Sequence, residues 1–137
     1  TEKGAEAAAR HYLDLIVYAW NTGDTQPLAD MSDSSSNFAT SHIANTKEMY
    51  TNGWSFGNSA TVQEVLRLEA VPAQDGTIPP NTIGVRFQIT ANYGTKCKGQ
   101  SITVDDTEHS STISLFMTWN NDRWTEIQGS AKNHDAE

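Results

Sequence analysis

Apolar positions recur at three- and four-residue spacing through residues 5–21. Ala5, Ala8, Tyr12, Leu15, Ile16 and Ala19 form one stripe, which predicts an amphipathic helix. Glu6, Arg10 and Asp14 stack on the opposite face at i, i+4, where alternating charges support the helix weakly. Gly23 stands where a left-handed residue ends a helix. Asp24 or Thr25 then caps a short second helix with Pro27 in its first turn, running to about Met31. After a serine-rich turn, Ser32 to Ser36 with Asp33 inside it, a third helix is expected from Asn37. Its inner side carries Ala39, Ile43, Thr46, Met49 and Tyr50, and Asn52-Gly53 ends it.

Beyond Trp54 the period changes to two. Residues 61–71 read as a strand with Val62, Leu66, Leu68 and Ala70 on one side, and Glu64 interrupts the alternation. Asp75-Gly76 and Pro79-Pro80 mark a loop. Residues 82–93 carry the cleanest pattern: Ile83, Val85, Phe87, Ile89, Ala91 and Tyr93 alternate with Gly84, Arg86, Gln88, Thr90 and Asn92. That is a long strand with one dry and one wet face. Another strand spans about Thr112 to Trp119, with Ile113, Leu115, Met117 and Trp119 on a shared face. Asn120-Asn121-Asp122 is a tight hairpin turn, Arg123 to Gln128 the return strand, and residues 130–137 a frayed polar tail.

Helices precede long strands and do not alternate with them, so the expected class is α+β: N-terminal helices packed in a curved antiparallel sheet. A length of 137 residues suits one domain, 1–137, and no linker or repeat divides it. The net charge of −8 makes nucleic acid and anionic membrane surfaces poor partners, since both are polyanions, and no nucleic acid is expected. No stretch approaches the length of apolar sequence that spans a bilayer, so this segment is not expected to insert. The single cysteine, Cys97, allows no internal disulfide. Because the chain begins at Thr1 rather than Met, a processed or truncated form is expected, with any signal or lipid-attachment segment removed.

This order of elements, closed by Asn121-Asp122-Arg123-Trp124-Thr125-Glu126-Ile127, resembles the nuclear-transport-factor-like superfamily. The resemblance implies a cone, in which helices close one side of a curved sheet around a pocket. Within the superfamily, the chain is similar to an uncharacterised family of actinobacterial secreted lipoprotein domains. Ala8 through Leu28 carries that likeness, above all Tyr18-Ala19-Trp20-Asn21-Thr22-Gly23-Asp24-Thr25, followed by Ser32-Asp33 and the Tyr50 to Trp54 segment. The likeness implies an extracytoplasmic domain, membrane-anchored as a lipoprotein in the full-length form. Two departures stand out. The cysteine pair common after the Ser-Asp turn is replaced by Ser34-Ser35-Ser36-Asn37-Phe38-Ala39, and Glu126 occupies a usually apolar position two after Trp124.

Glu126 is therefore the candidate catalytic residue. On a regular strand it shares a face with Trp124, and an inward carboxylate beside an apolar wall is suited to moving protons next to a carbonyl. Two other arrangements stay open. A bulge after Trp124 sends Ile127 inward and Glu126 to water, or Thr125 and Ile127 face inside and Trp124 outside. His11 and Asp14 lie one turn apart at a metal-compatible spacing, but no third ligand is evident and surface pairing is the plainer reading. Asp105-Asp106-Thr107-Glu108-His109 is acidic but lacks the glycine and spacing of a calcium loop, so it reads as a solvated hairpin end. His42 is a candidate acid or base if it faces a pocket. No metal or cofactor is expected.

Tyr12, Trp20, Trp54 and Trp124 are the candidate ligand-binding residues, as large amphipathic rings that would line the open end of a cone. No nucleophile–base pair, phosphate loop or cysteine–histidine metal spacing is present in the sequence. The expectation is a non-enzymatic module that binds a small apolar molecule or a protein partner. Its rival is a cone-fold isomerase, dehydratase or hydrolase with Glu126 as base and a tyrosine as hydrogen-bond donor. Phe116, among Thr112, Ser114 and Thr118, leaves both a monomer and a homodimer open.

Overall fold

The computed structural model describes residues 1–134. Three helices open the chain: α1 (Glu2–Thr22), α2 (Gln26–Asp30) and α3 (Asn37–Thr51). Seven strands follow: β1 (Gly53–Phe56), β2 (Ser59–Val71), β3 (Thr82–Asn92), β4 (Gly94–Lys98), β5 (Ser101–Asp105), β6 (His109–Asn120) and β7 (Arg123–Asn133). They form a four-stranded antiparallel sheet, β2-β3-β6-β7, and a three-stranded one, β1-β4-β5.

The local signals for α1 act as the sequence implies. Thr1 caps it by accepting from Gly4 N at 3.0 Å, and Gly23 closes it at φ 79°. A Cβ on Gly23 would lie 2.7 Å from the Tyr50 ring, so the position needs glycine for space as well as for backbone conformation. The buried stripe is Ala5, Ala9, Tyr12, Leu13, Ile16 and Ala19. Relative to the predicted stripe it is turned slightly, with Ala9 and Leu13 inside while Ala8 and Leu15 are only partly covered. It packs on Val85, Phe87 and Ile89 of β3 and on Ile113, Leu115 and Met117 of β6. Burying a side chain such as Leu115 or Phe87 stabilises by about 1.5–3 kcal/mol.

In β2, register shifts between Val62 and Glu64 and between Val65 and Arg67 break the pairing with β3. The two bulges re-aim the strand, so Ala60, Val62, Val65 and Leu68 pack inward while Leu66, expected inside, stands 44% exposed. The hairpin turn at Asn121 and Asp122 has φ 54° and 62°, matching the strand twist. The strand that follows outruns its expected end. Residues 130–133, read as frayed tail, pair with β6 from Ser114 to Ser111, and residues 135–137 lie outside the described residues.

The small sheet was not anticipated from the sequence. Trp54 is paired with Cys97 and Cys97 with Ile102; one row on, Phe56 is paired with Thr95 and Thr95 with Val104. Trp54, Phe56, Ile102 and Val104 all stand exposed on its outer face, while Ser55, between the first two, is buried.

Candidate functional site

Glu126 lies inside the protein with no solvent exposure. A register shift places Met117 opposite Glu126 and Phe116 opposite Gln128, so the bulge falls at Ile127 and Glu126 keeps the inward face it shares with Trp124. Its backbone is clamped to the α2–α3 connection: Glu126 N donates to Met31 O at 2.9 Å, and Asp33 N donates to Glu126 O at 2.7 Å. Its side chain is held by the α3 cap. The Ser36 hydroxyl donates to Oε2 at 2.8 Å while accepting from Ala39 N at 3.2 Å.

Tyr12 of α1 completes this cluster. Ser32 donates its only hydroxyl proton to Leu28 O at 2.7 Å, so the 2.7 Å contact between Tyr12 and Ser32 has the phenol as donor. The phenol lies beside Glu126 but is aimed at Ser32, and Oε1 of Glu126 has no hydrogen-bond partner. Burial pushes the Glu126 carboxyl up to about 7, against the opposing pull of the Ser36 hydrogen bond. Burial, then the charge of Glu126, raises the Tyr12 phenol. The cluster is thus a braced, sealed carboxylate whose proton affinity lies near neutrality.

A cavity of about 260 Å³ opens elsewhere, at the C-terminal end of α1. Trp20, His42, Met49, Tyr50 and Tyr93 supply its broad walls, and Asn45, Thr46, Ser55, Asn58 and Lys96 its polar atoms. The Trp20 and Tyr93 rings meet edge to face at 5.9 Å. His42 lies between Trp20 (6.1 Å) and Phe38 (4.5 Å), and its burial lowers its pKa, favouring the neutral ring. The frame is rigid. The Tyr50 hydroxyl lies 2.7 Å from both Trp20 O and Ser55 O and shares its single proton between the two carbonyls. Asn58 N and Nδ2 both donate to Asn21 Oδ1 at 2.8 Å, and Asn21 Nδ2 returns a bond to Asn58 O at 3.0 Å.

The four aromatic candidates do not converge. Trp20 lines the cavity; Tyr12 is fully buried beside Glu126. Trp54 faces outward on the small sheet. Trp124 packs against Trp119 at 5.3 Å and walls an open groove over Gly4, Ala7, Ala8 and His11, at the other end of α1 from Trp20. The expected grouping of Tyr12, Trp20, Trp54 and Trp124 at the open end of the cone is therefore corrected: the length of α1 separates Trp124 from the cavity, Trp54 faces outward and Tyr12 is buried. His11 and Asp14 sit exposed on α1, and Asp105 bonds Thr107 and His109 within the β5–β6 connection, which joins the two sheets and is not the hairpin end expected. Cys97 is free and half-buried. Among the described residues, no group of three or more His, Cys, Asp or Glu is placed to hold a metal ion, and no helix is long and apolar enough to cross a membrane. His42 is a candidate from sequence; Lys96 and Ser55 are not, because nothing in their pattern announces the small sheet that turns them inward, and Asn58 is placed by Asn21 from the β1–β2 connection.

Helices closing one side of a curved antiparallel sheet, with a cavity at one end of the enclosed core, define a nuclear-transport-factor-like cone. Solved structures agree on this class. The chain is similar to the intermembrane space region of the chloroplast protein ARC6, with TM-score 0.64, 13% identity and 97% of each chain covered. It is similar to a ketosteroid isomerase-like protein from Erwinia carotovora atroseptica SCRI1043, with TM-score 0.56, 13% identity and 97% and 95% covered. A nuclear-transport-factor-like protein of unknown function from Shewanella baltica OS155 matches with TM-score 0.55, 9% identity and 98% and 97% covered. Such identities show a shared fold alone. Within this class the chain belongs to the family of unknown function DUF6318, whose profile matches residues 1–129. No curated protein matches the sequence.

Proposed function

We propose that this domain is a non-catalytic module that binds a small molecule in the cavity between α1, α3 and the small sheet. The observation that carries this reading is the cavity's construction: an aromatic wall of Trp20, His42, Tyr50 and Tyr93 with a few fixed polar groups. At about 260 Å³ it accepts on the order of eight to ten non-hydrogen atoms, judged against ~30 Å³ per liquid water. The sealed position of Glu126 weighs against the isomerase-type rival, since a general base must come within hydrogen-bond reach of a substrate proton. In the full-length protein we place the module outside the cytoplasm on a lipoprotein anchor. Support for that location is the likeness of Ala8 through Leu28 to secreted lipoprotein domains.

The test is a nuclear magnetic resonance titration of the whole chain with indole, phenol, benzamide and benzoate. Saturable shifts at Trp20, Thr46 and Tyr93, abolished when Met49→Trp fills the cavity, support the reading. Absence of saturable shifts for every probe, or shifts that persist in Met49→Trp, would sink it.

A further inference from the structure

Resting on that reading, we infer that the cavity takes a small planar monocarboxylate of about benzoate size, its anionic end at Lys96 and its ring against Trp20 and Tyr93. The warrant begins with register. Lys96 is paired with Ser55 across β1 and β4, so both side chains leave the small sheet on one face. Ser55 is buried on that face and lines the cavity, and Lys96 lines it too. Their neighbours Trp54 and Cys97 belong to the alternate row, on the outer face.

Charge then narrows the ligand. Among the described residues, Lys96 is the lysine or arginine in the lining, and no aspartate or glutamate shares it. In a chain of net charge −8, a cavity whose charged group is a cation is a local inversion of sign. Among the described residues the Lys96 ammonium makes no ion pair; it lies over the Tyr93 ring at 5.3 Å. Asp105, paired with Gly94 where β5 meets β4, is engaged by Thr107 at 2.7 Å and by His109 at 2.6 Å, and the His109 ring lies against Tyr93. Burial keeps His42 from adding a second positive charge, so the lining suits a single negative one. One cation, flat walls and this volume fit a monocarboxylate on a ring better than a phosphate ester, which calls for several donors.

Isothermal titration of the whole chain with benzoate and its neutral isostere benzamide tests this. The native protein is expected to bind benzoate at least about tenfold more tightly, with the preference shrinking as salt rises. Lys96→Gln removes the preference for benzoate over benzamide, while Lys96→Arg keeps it; circular dichroism confirms that both variants fold. If benzamide binds as well as benzoate, or the preference survives in Lys96→Gln, the anion assignment is overturned and the cavity reading stands. If neither compound binds and the uncharged probes also fail, the cavity reading falls and this inference with it.

Discussion

The Ser36 hydroxyl donates to Glu126 Oε2 at 2.8 Å, tying the cap of α3 to β7 across 90 positions of sequence. The Ser36 Oγ also accepts from Ala39 N, so one serine both caps the third helix and hydrogen-bonds a buried carboxylate. Helices and sheet are thus joined through a group whose charge state depends on pH near neutrality.

Stability should fall as pH rises through this group's range. The native carboxyl titrates near 7 against 4.5 for an ordinary glutamate, so between those values the folded state holds more proton than the unfolded chain. The contribution is fully present below about pH 4.5, declines as pH rises to 7 and is flat above. The swing is on the order of 3 kcal/mol at most. Glu126→Gln cannot ionise and keeps the acceptor for Ser36. Urea unfolding at pH 5, 6, 7 and 8 should show the native chain losing ground to Glu126→Gln as pH rises. Parallel curves for the two proteins would reject a titrating Glu126.

Ser36→Ala removes a helix cap, worth about 1 kcal/mol, and a donor to a buried charge, worth roughly 1–3 kcal/mol. The second loss depends on Glu126 being ionised. A double-mutant cycle with Glu126→Gln at pH 8 should therefore show a coupling of about 1 kcal/mol or more, and a smaller one at pH 5. Additive effects at both pH values would mean that Ser36 acts as a cap alone.

The long alternation from Ile83 to Ala91 was legible because one dry face runs unbroken, and Val85, Phe87, Ile89 and Ala91 are indeed buried. The inward face shared by Trp124 and Glu126 is one of three arrangements open to the sequence, and the unbroken pairing of Trp124, Thr125 and Glu126 with Trp119, Thr118 and Met117 selects it, the bulge falling only at Ile127. The small sheet was illegible for a different reason. Its strands β1, β4 and β5 are four or five residues long, and their largest apolar side chains point to solvent, against the rule that pattern reading relies on. The cavity was half-visible as a result: Trp20 and His42 lie on predicted helices, whereas Lys96 acquires its direction only from pairing with Ser55.

The bulges in β2 make a sharp claim about two adjacent residues. Val65 packs on the core cluster and Leu66 stands 44% exposed, the reverse of what simple alternation from Val62 implies. Val65→Asn should cost about 2 kcal/mol by placing an amide against apolar neighbours, and Leu66→Asn should stay within about 0.5 kcal/mol of the native chain. Chemical denaturation of both variants decides it, since a strand in the unbulged register would give the opposite ranking.

Gly53 tests whether the small sheet is what holds the cavity wall. A Cβ there would lie 1.8 Å from the Cys97 carbonyl oxygen, a backbone atom that moves only if β1 and β4 separate. Gly53→Ala should therefore cost on the order of 3 kcal/mol or more, and it should weaken benzoate binding because Ser55 and Lys96 lose their common face. Gly76 is the fitting control. Its φ of 81° makes alanine strained by about 1 kcal/mol, yet an added Cβ meets nothing within 4 Å and lies in the β2–β3 loop. Hydrogen exchange should accelerate from Thr95 to Lys98 in Gly53→Ala and stay unchanged there in Gly76→Ala. If the two variants lose equal stability and exchange alike in β4, the pairing of β1 with β4 is not the support of the cavity.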